Sequence, residues 1–293
     1  MFRLRVFSMV VICVIALDLF WPMPVKAQET LNADLKSALL LHVPFDGTFD
    51  ARIATGSGKI FTAESADRKQ VKEGNHRKEV AIAPGKGKFG DALRFADTSD
   101  EVIFYDGSNM GFRTEDWSGT VSFWLKLDPD KDLKPGFCDP IQITQKGWND
   151  AAFFVDFDRD LPRDFRLGVF ADYKFWNPTD IEWEKLPVAD RPMVVVKKPP
   201  FSSESWTHVA FTFENVNTSG GNSAASKSTL YLNGKPAGSL VKPMQFHWDP
   251  ERSSIMLGLL YIGDFDDLTV FSRALTPAEM LHLYRLPGGG SEL

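Results

Sequence analysis

Short runs in which apolar and polar residues alternate recur along the chain, separated by clusters of Gly, Pro, Asp and Asn. A period of two puts successive side chains on opposite faces of an extended strand. The run over residues 119–127 is the plainest. Val121, Phe123, Leu125 and Leu127 point one way, while Thr120, Ser122, Trp124 and Lys126 point the other. The same reading predicts strands over 39–45, 92–95, 101–105, 141–145, 152–157, 165–171, 206–213, 229–232, 255–259 and 267–271. Asn233 and Gly234 both tolerate positive φ and predict a tight hairpin turn. Many short strands with little helix predict an all-β, two-sheet antiparallel sandwich.

One short helix is signalled near the C-terminus. Thr276 can cap it, Pro277 suits its first turn, and Glu279 completes a capping box. Leu275 and Met280 supply the matching hydrophobic staple. The helix is expected to end near Leu286, and residues 288–293 are expected to be a disordered tail. Two connections are long for a sandwich. The one over 50–84 is polar and turn-rich. The one over 172–205 carries Tyr173, Phe175, Trp176 and Trp183, rings that argue for burial rather than disorder.

Residues 1–27 read as an export signal. Arg3 and Arg5 precede an apolar run from Val6 to Leu17, and Val25-Lys26-Ala27 offers small residues at the usual cleavage positions. The run is shorter than the about 20 apolar residues a membrane span needs. An uncleaved anchor is the alternative, since Leu19-Phe20-Trp21 resumes the apolar character after Asp18. No other segment is long and apolar enough to cross a membrane. Residues 28–38 read as a linker and 39–287 as one domain, expected to be secreted, periplasmic or at the cell surface. Cys13 lies in the signal, which leaves Cys138 as a single thiol, buried or half-buried, with no internal disulfide to form. With a net charge of −6 and no dense Lys/Arg cluster, the chain offers no nucleic-acid surface. Its most basic stretch, 68–78, is diluted by Glu73 and reads as a solvated loop.

Four segments, in order, carry a family resemblance. They are Leu40-Leu41-His42-Val43-Pro44-Phe45-Asp46-Gly47; Gly87-Lys88-Phe89-Gly90-Asp91-Ala92-Leu93-Arg94-Phe95; Trp206-Thr207-His208-Val209-Ala210 with Leu230-Tyr231-Leu232-Asn233-Gly234-Lys235; and residues 263–276, where Asp266-Asp267 precede a strand and Arg273-Ala274-Leu275 lead into the capped helix. Together they resemble the laminin G-like (LamG-like jelly-roll) domains of the concanavalin A-like lectin/glucanase superfamily. The resemblance implies an antiparallel jelly roll closed by one short C-terminal helix. It also implies a carbohydrate- or protein-binding module, often with a structural calcium, and enzymatic relatives that are glycan hydrolases and lyases.

Three kinds of site follow. Calcium takes roughly six to eight hard oxygen ligands. The resemblance implies that the first and last strands run side by side, bringing Asp46, Gly47 and Asp50 towards Asp264 and Asp266. Turn capping by these aspartates is the competing reading, and no EF-hand pattern is present. For a ligand, the non-core faces of several strands carry Trp124, Phe154, Asp156, Arg166, Phe170 and His208. Rings stack on sugars and charged groups bind hydroxyls, so this set, with Trp176 from the long loop, is a candidate glycan groove. Alternatively, the aromatic loop folds over part of that face as a second small core. Trp148-Asn149 and Trp176-Asn177 are rival loop positions. For catalysis, Asp156, Asp158 and Asp160 alternate along one strand, but the Glu-x-Asp-x-x-Glu arrangement of the superfamily's glucanases is absent, and Leu161-Pro162 reads as a turn. The five histidines show no metal-ligand spacing. The expected activity is therefore non-catalytic binding, of a glycan or of a surface protein.

Overall fold

The computed structural model describes residues 25–218 and 226–293. Residues 1–24 of the expected export signal thus lie outside the described residues. Two antiparallel sheets pack face to face. The first holds β1 (Leu39–Val43), β2 (Ile53–Ala54), β5 (Val80–Ala83), β6 (Ala92–Phe95), β8 (Trp117–Lys126), β13 (Thr207–Val216), β14 (Lys227–Leu232), β15 (Lys235–Val241) and β17 (Gly263–Phe271). The second runs β12-β11-β10-β9-β16-β7-β3-β4, from β12 (Met193–Val196), β11 (Phe165–Phe170), β10 (Ala152–Phe157), β9 (Cys138–Thr144), β16 (Ser254–Leu259) and β7 (Val102–Asp106) to β3 (Phe61–Ala63) and β4 (Val71–Glu73). This is a two-sheet jelly-roll sandwich.

The alternation predicted for residues 119–127 sorts as expected. Val121, Phe123 and Leu125 enter the inter-sheet core, where Phe123 stacks on Phe265 at 4.8 Å. Trp117, fully buried, gathers Phe112, Phe153, Phe213, Phe246 and Trp248 around it. Burying rings of this size supplies much of the driving force for closing the sheets. Asn233 and Gly234 take φ of 50° and 72° and join β14 to β15 as a two-residue hairpin. Cys138 is buried and free.

The first and last strands do lie side by side: β1 pairs with the second half of β17, and β6 pairs with its first half. The register breaks between Asp266 and Thr269, and Asp267 sits at the break with φ 52°.

Three expectations need correction. Residues 28–38 belong to a helix, Val25–Ala38, rather than a linker, because Leu35 and Ala38 bury against Met280 and Leu283 of the C-terminal helix. That helix, Pro277–Arg285, makes both bonds of the capping box. Residues 288–293 are docked, not disordered. A short turn over Gly289–Glu292 lets the Gly290 N–H donate to the Asp267 carboxylate at 2.9 Å, and Leu293 joins the same apolar cluster. Finally, Arg77 of the basic stretch is buried rather than solvated, over the Phe95 ring and donating to the Gly258 carbonyl at 3.1 Å. No helix among the described residues is long and apolar enough to cross a membrane.

Candidate functional site

The outward face of a strand is legible from alternation, but the sheet to which it belongs is not. The structure divides the candidate groove residues between the two sides of the sandwich. Trp124 and His208 lie on the outer face of the first sheet and are buried there. Trp124 stacks with Tyr284 of the C-terminal helix at 5.6 Å, meets Phe89 edge-on, and has the Lys88 ammonium 4.7 Å from its ring centre. His208 Nε2 pairs with Ser122 Oγ at 2.8 Å, and burial pushes its imidazole down to about 3, so it stays neutral. Neither side chain is open to a ligand; both form a second small core under the helix.

Phe170 and Trp176 belong with Asp156 and Arg166 on the second sheet, yet they too are structural. Phe170 is fully buried beneath Trp148, Trp176 and Trp183. Trp176 donates its indole N–H to the Asn149 carbonyl at 2.8 Å. The aromatic loop therefore does cover this end of the face, as the competing reading held.

What remains open is a cleft of about 750 Å³ on the outer face of the second sheet. Its floor is Gln142, Phe154, Asp156 and Arg166 from β9, β10 and β11. Gly168 on β11 leaves room for the Phe154 ring, since a Cβ there would sit 2.2 Å from its tip. One wall is a corner of two indoles: Trp148 and Trp183 meet at 5.4 Å and 89°. Phe137, Leu259 and Leu260 also line the cleft, with Glu64, Asp100 and Glu184. Phe137, Trp148 and Leu260 are among the few large apolar side chains left exposed, and all three line this cleft. Apolar groups held at a polar cleft mark a surface built to be covered.

The charges on the floor are organised by Arg166. Its Nε donates to Asp156 Oδ1 at 2.8 Å and a second N–H to Asp156 Oδ2. Nη1 lies 3.3 Å from Asp158, and Phe137 covers the guanidinium at 4.8 Å. Burial raises the Asp156 carboxyl above its ordinary value, against the pull of Arg166. Asp160, expected to share this face, lies beyond the end of β10 in an exposed turn and does not reach the cleft.

Asp139 is the residue that alternation misses. Ile141 pairs with Val155 but Cys138 with Phe157, so β9 carries one extra residue at Asp139-Pro140. This bulge turns Asp139 outward into the cleft beside Asp156. The signal available in the sequence was Pro140, which cannot donate to a sheet ladder and marks a bulge or an edge. Burial raises the Asp139 carboxyl well above the usual range, and the neighbouring Asp156 charge adds to this.

The residues named for calcium do not form a cage. Asp264 is held bidentately by Arg94 at 2.7 and 2.9 Å, and Asp50 by the Lys59 ammonium at 2.7 Å. Asp46 accepts from the Asp91 N–H, and the Gly47 N–H donates to the Asp91 carboxylate. Asp266 is buried, with Oδ2 accepting from the Phe89 N–H and Oδ1 unpaired. Burial pushes its carboxyl up to about 8. Among the described residues no group of three or more His, Cys, Asp or Glu side chains is placed to hold a metal ion.

A sandwich with its core between the sheets and an aromatic, acidic cleft on one outer face defines a jelly-roll module. The laminin G-like family model of the concanavalin A-like lectin/glucanases superfamily matches residues 96–280, and the chain belongs to this family. Domain 4 of AbnA, a GH43 extracellular arabinanase from Geobacillus stearothermophilus, in complex with arabinotriose, is similar with a TM-score of 0.51 and 19% identity, over 85% of this chain and 100% of that one. The binding domain of botulinum neurotoxin DC, in complex with SialylT, is similar with a TM-score of 0.53 and 12% identity, over 87% of this chain and 52% of that one. The serotype D binding domain gives 0.53 and 13%, with the same coverage of 87% and 52%. The chain thus spans all of the arabinanase domain and about half of each neurotoxin domain. These likenesses show the fold. No curated protein matches the chain.

Proposed function

We propose that the chain is a non-catalytic carbohydrate-binding module whose glycan lies in the cleft on the outer face of the second sheet. The observation that carries this reading is the pairing of an indole corner, Trp148 and Trp183, with a hydrogen-bonding floor of Gln142, Asp156 and Arg166. Indole faces cover the apolar side of a pyranose or furanose ring, and the floor supplies acceptors and donors for its hydroxyls. The volume suits a short oligosaccharide. That the arabinanase domain was solved with arabinotriose, and a neurotoxin domain with SialylT, supports a sugar for this chain as well. The expected export signal supports a setting at the cell surface, in the periplasm or outside the cell, where glycans are met.

Glycan-array screening of the wild type beside Trp183→Ala tests the reading. Binding to one or more glycans that is lost in the variant supports it. Absence of binding across the array, or binding indifferent to Trp183 and Trp148, refutes it.

A further inference from the structure

The charge of the cleft narrows the ligand. Glu64, Asp100, Asp139, Asp156 and Glu184 all line it, and Arg166 is the only cation among the lining residues. Arg166 is itself neutralised, by Asp156 on one side and Asp158 on the other. Elsewhere in the fold, three carboxylates at least partly withdrawn from water are matched, Asp264 by Arg94, Glu279 by Arg273, Asp267 by His42 and the Gly290 N–H, whereas buried Asp266 keeps Oδ1 unpaired. Asp139 makes no hydrogen bond or ion pair with any described residue, although Asp156 presses against it. Asp139, Asp156 and Asp158 thus share the one guanidinium of Arg166, and carboxylates in excess of their counter-charge favour a further cation.

We propose, resting on the glycan-binding reading above, that the cleft takes a sugar bearing a protonated primary amine, with the ammonium group supplied to Asp139, and that it rejects acidic sugars. An ammonium has three donors, which suits the unpaired Asp139 oxygens. A sialyl, uronyl or sulfated residue would instead bring a further negative charge into a cleft that has no free cation among its lining residues.

Calorimetry with three probes tests this: a β-1,4-linked glucosamine tetramer, its fully N-acetylated counterpart, and a sialylated oligosaccharide. The amine tetramer should bind about tenfold tighter than the acetylated one, as expected for one charge-assisted hydrogen bond. That advantage should shrink with added salt and vanish in Asp139→Asn, whose cooperative melting curve shows that it is folded. Equal binding of the amine and acetylated forms, or tighter binding of the sialylated one, overturns the inference while leaving the cleft a sugar site. Silence from all three overturns the inference too; the glycan-binding reading beneath it is decided separately by the array and Trp183→Ala.

Discussion

Arg166 on β11 and Asp156 on β10 are cross-strand partners, joined by two parallel N–H···O contacts on the outer face of the second sheet. The pair is buried, and the same guanidinium also faces Asp158. Removing it strands several carboxylates at once. Arg166→Met is therefore expected to cost about 3–5 kcal/mol in urea unfolding at neutral pH, as for other broken buried pairs. The sign of its pH dependence follows from the carboxyls. Asp156 is already raised above 3.8 in the folded protein, and losing Arg166 raises it further. Protonation in the folded state then exceeds that in the unfolded state, so the variant loses stability as pH climbs above that value and approaches the wild type below it. A penalty independent of pH would mean that Arg166 acts through packing alone.

Trp148 keeps 42% of its surface exposed while holding a right-angled contact with Trp183. Trp148→Ala should weaken glycan binding by about 1 kcal/mol, roughly fivefold, with a smaller loss of melting temperature than Trp183→Ala. Trp183→Ala should weaken binding and cost more stability, because its ring, besides meeting Phe170 as Trp148 does, carries the Arg191 guanidinium at 4.3 Å. Equal losses of stability in both variants would contradict this division.

Asp266 offers a test that separates a buried acid from a cation ligand. Its folded carboxyl is held at about 8, against 3.8 for a free one, chiefly by burial. A carboxyl raised in the folded state makes stability fall as pH rises between these two values. Asp266→Asn removes the titration and can still accept from the Phe89 N–H. The variant should gain melting temperature relative to the wild type, more at pH 8 than at pH 5. A loss at pH 8, reversed by EDTA treatment of the wild type, would show that a divalent cation shields Asp266 after all.

The docked tail can be tested at one atom. A Cβ on Gly290 would lie 2.8 Å from Thr269 Cγ2 and 2.9 Å from the His42 ring. Gly290→Ala is expected to destabilise by about 1–3 kcal/mol, the usual range for overpacking a tight site. Truncation after Pro287 should also lower the melting temperature, by removing the Gly290 N–H from Asp267 and Leu293 from its apolar cluster. An unchanged melting curve in both variants would return residues 288–293 to the disorder expected from their composition.

Local chemistry made much of the fold readable in advance. Strand alternation, the Asn233-Gly234 turn and the Thr276–Glu279 capping box depend on neighbours a few residues away, and each is found where those neighbours dictate. The short strands β2, β4 and β12 were not readable, because they have too few residues to establish a period and are held by pairing with distant partners. The helix over Val25–Ala38 was hidden for a related reason: its apolar face is completed only by the C-terminal helix, more than two hundred residues away in the chain.

The site divides along the same line. By itself the sequence determined that Trp124, Asp156, Arg166, Phe170 and His208 point away from the core, since a period of two assigns each side chain to a face. Only the tertiary structure decided which faces meet solvent. Strand order sent Trp124 and His208 under the C-terminal helix on one side of the sandwich and Asp156 and Arg166 to a cleft on the other. A one-residue bulge, a long-range register effect, then turned Asp139 into that cleft.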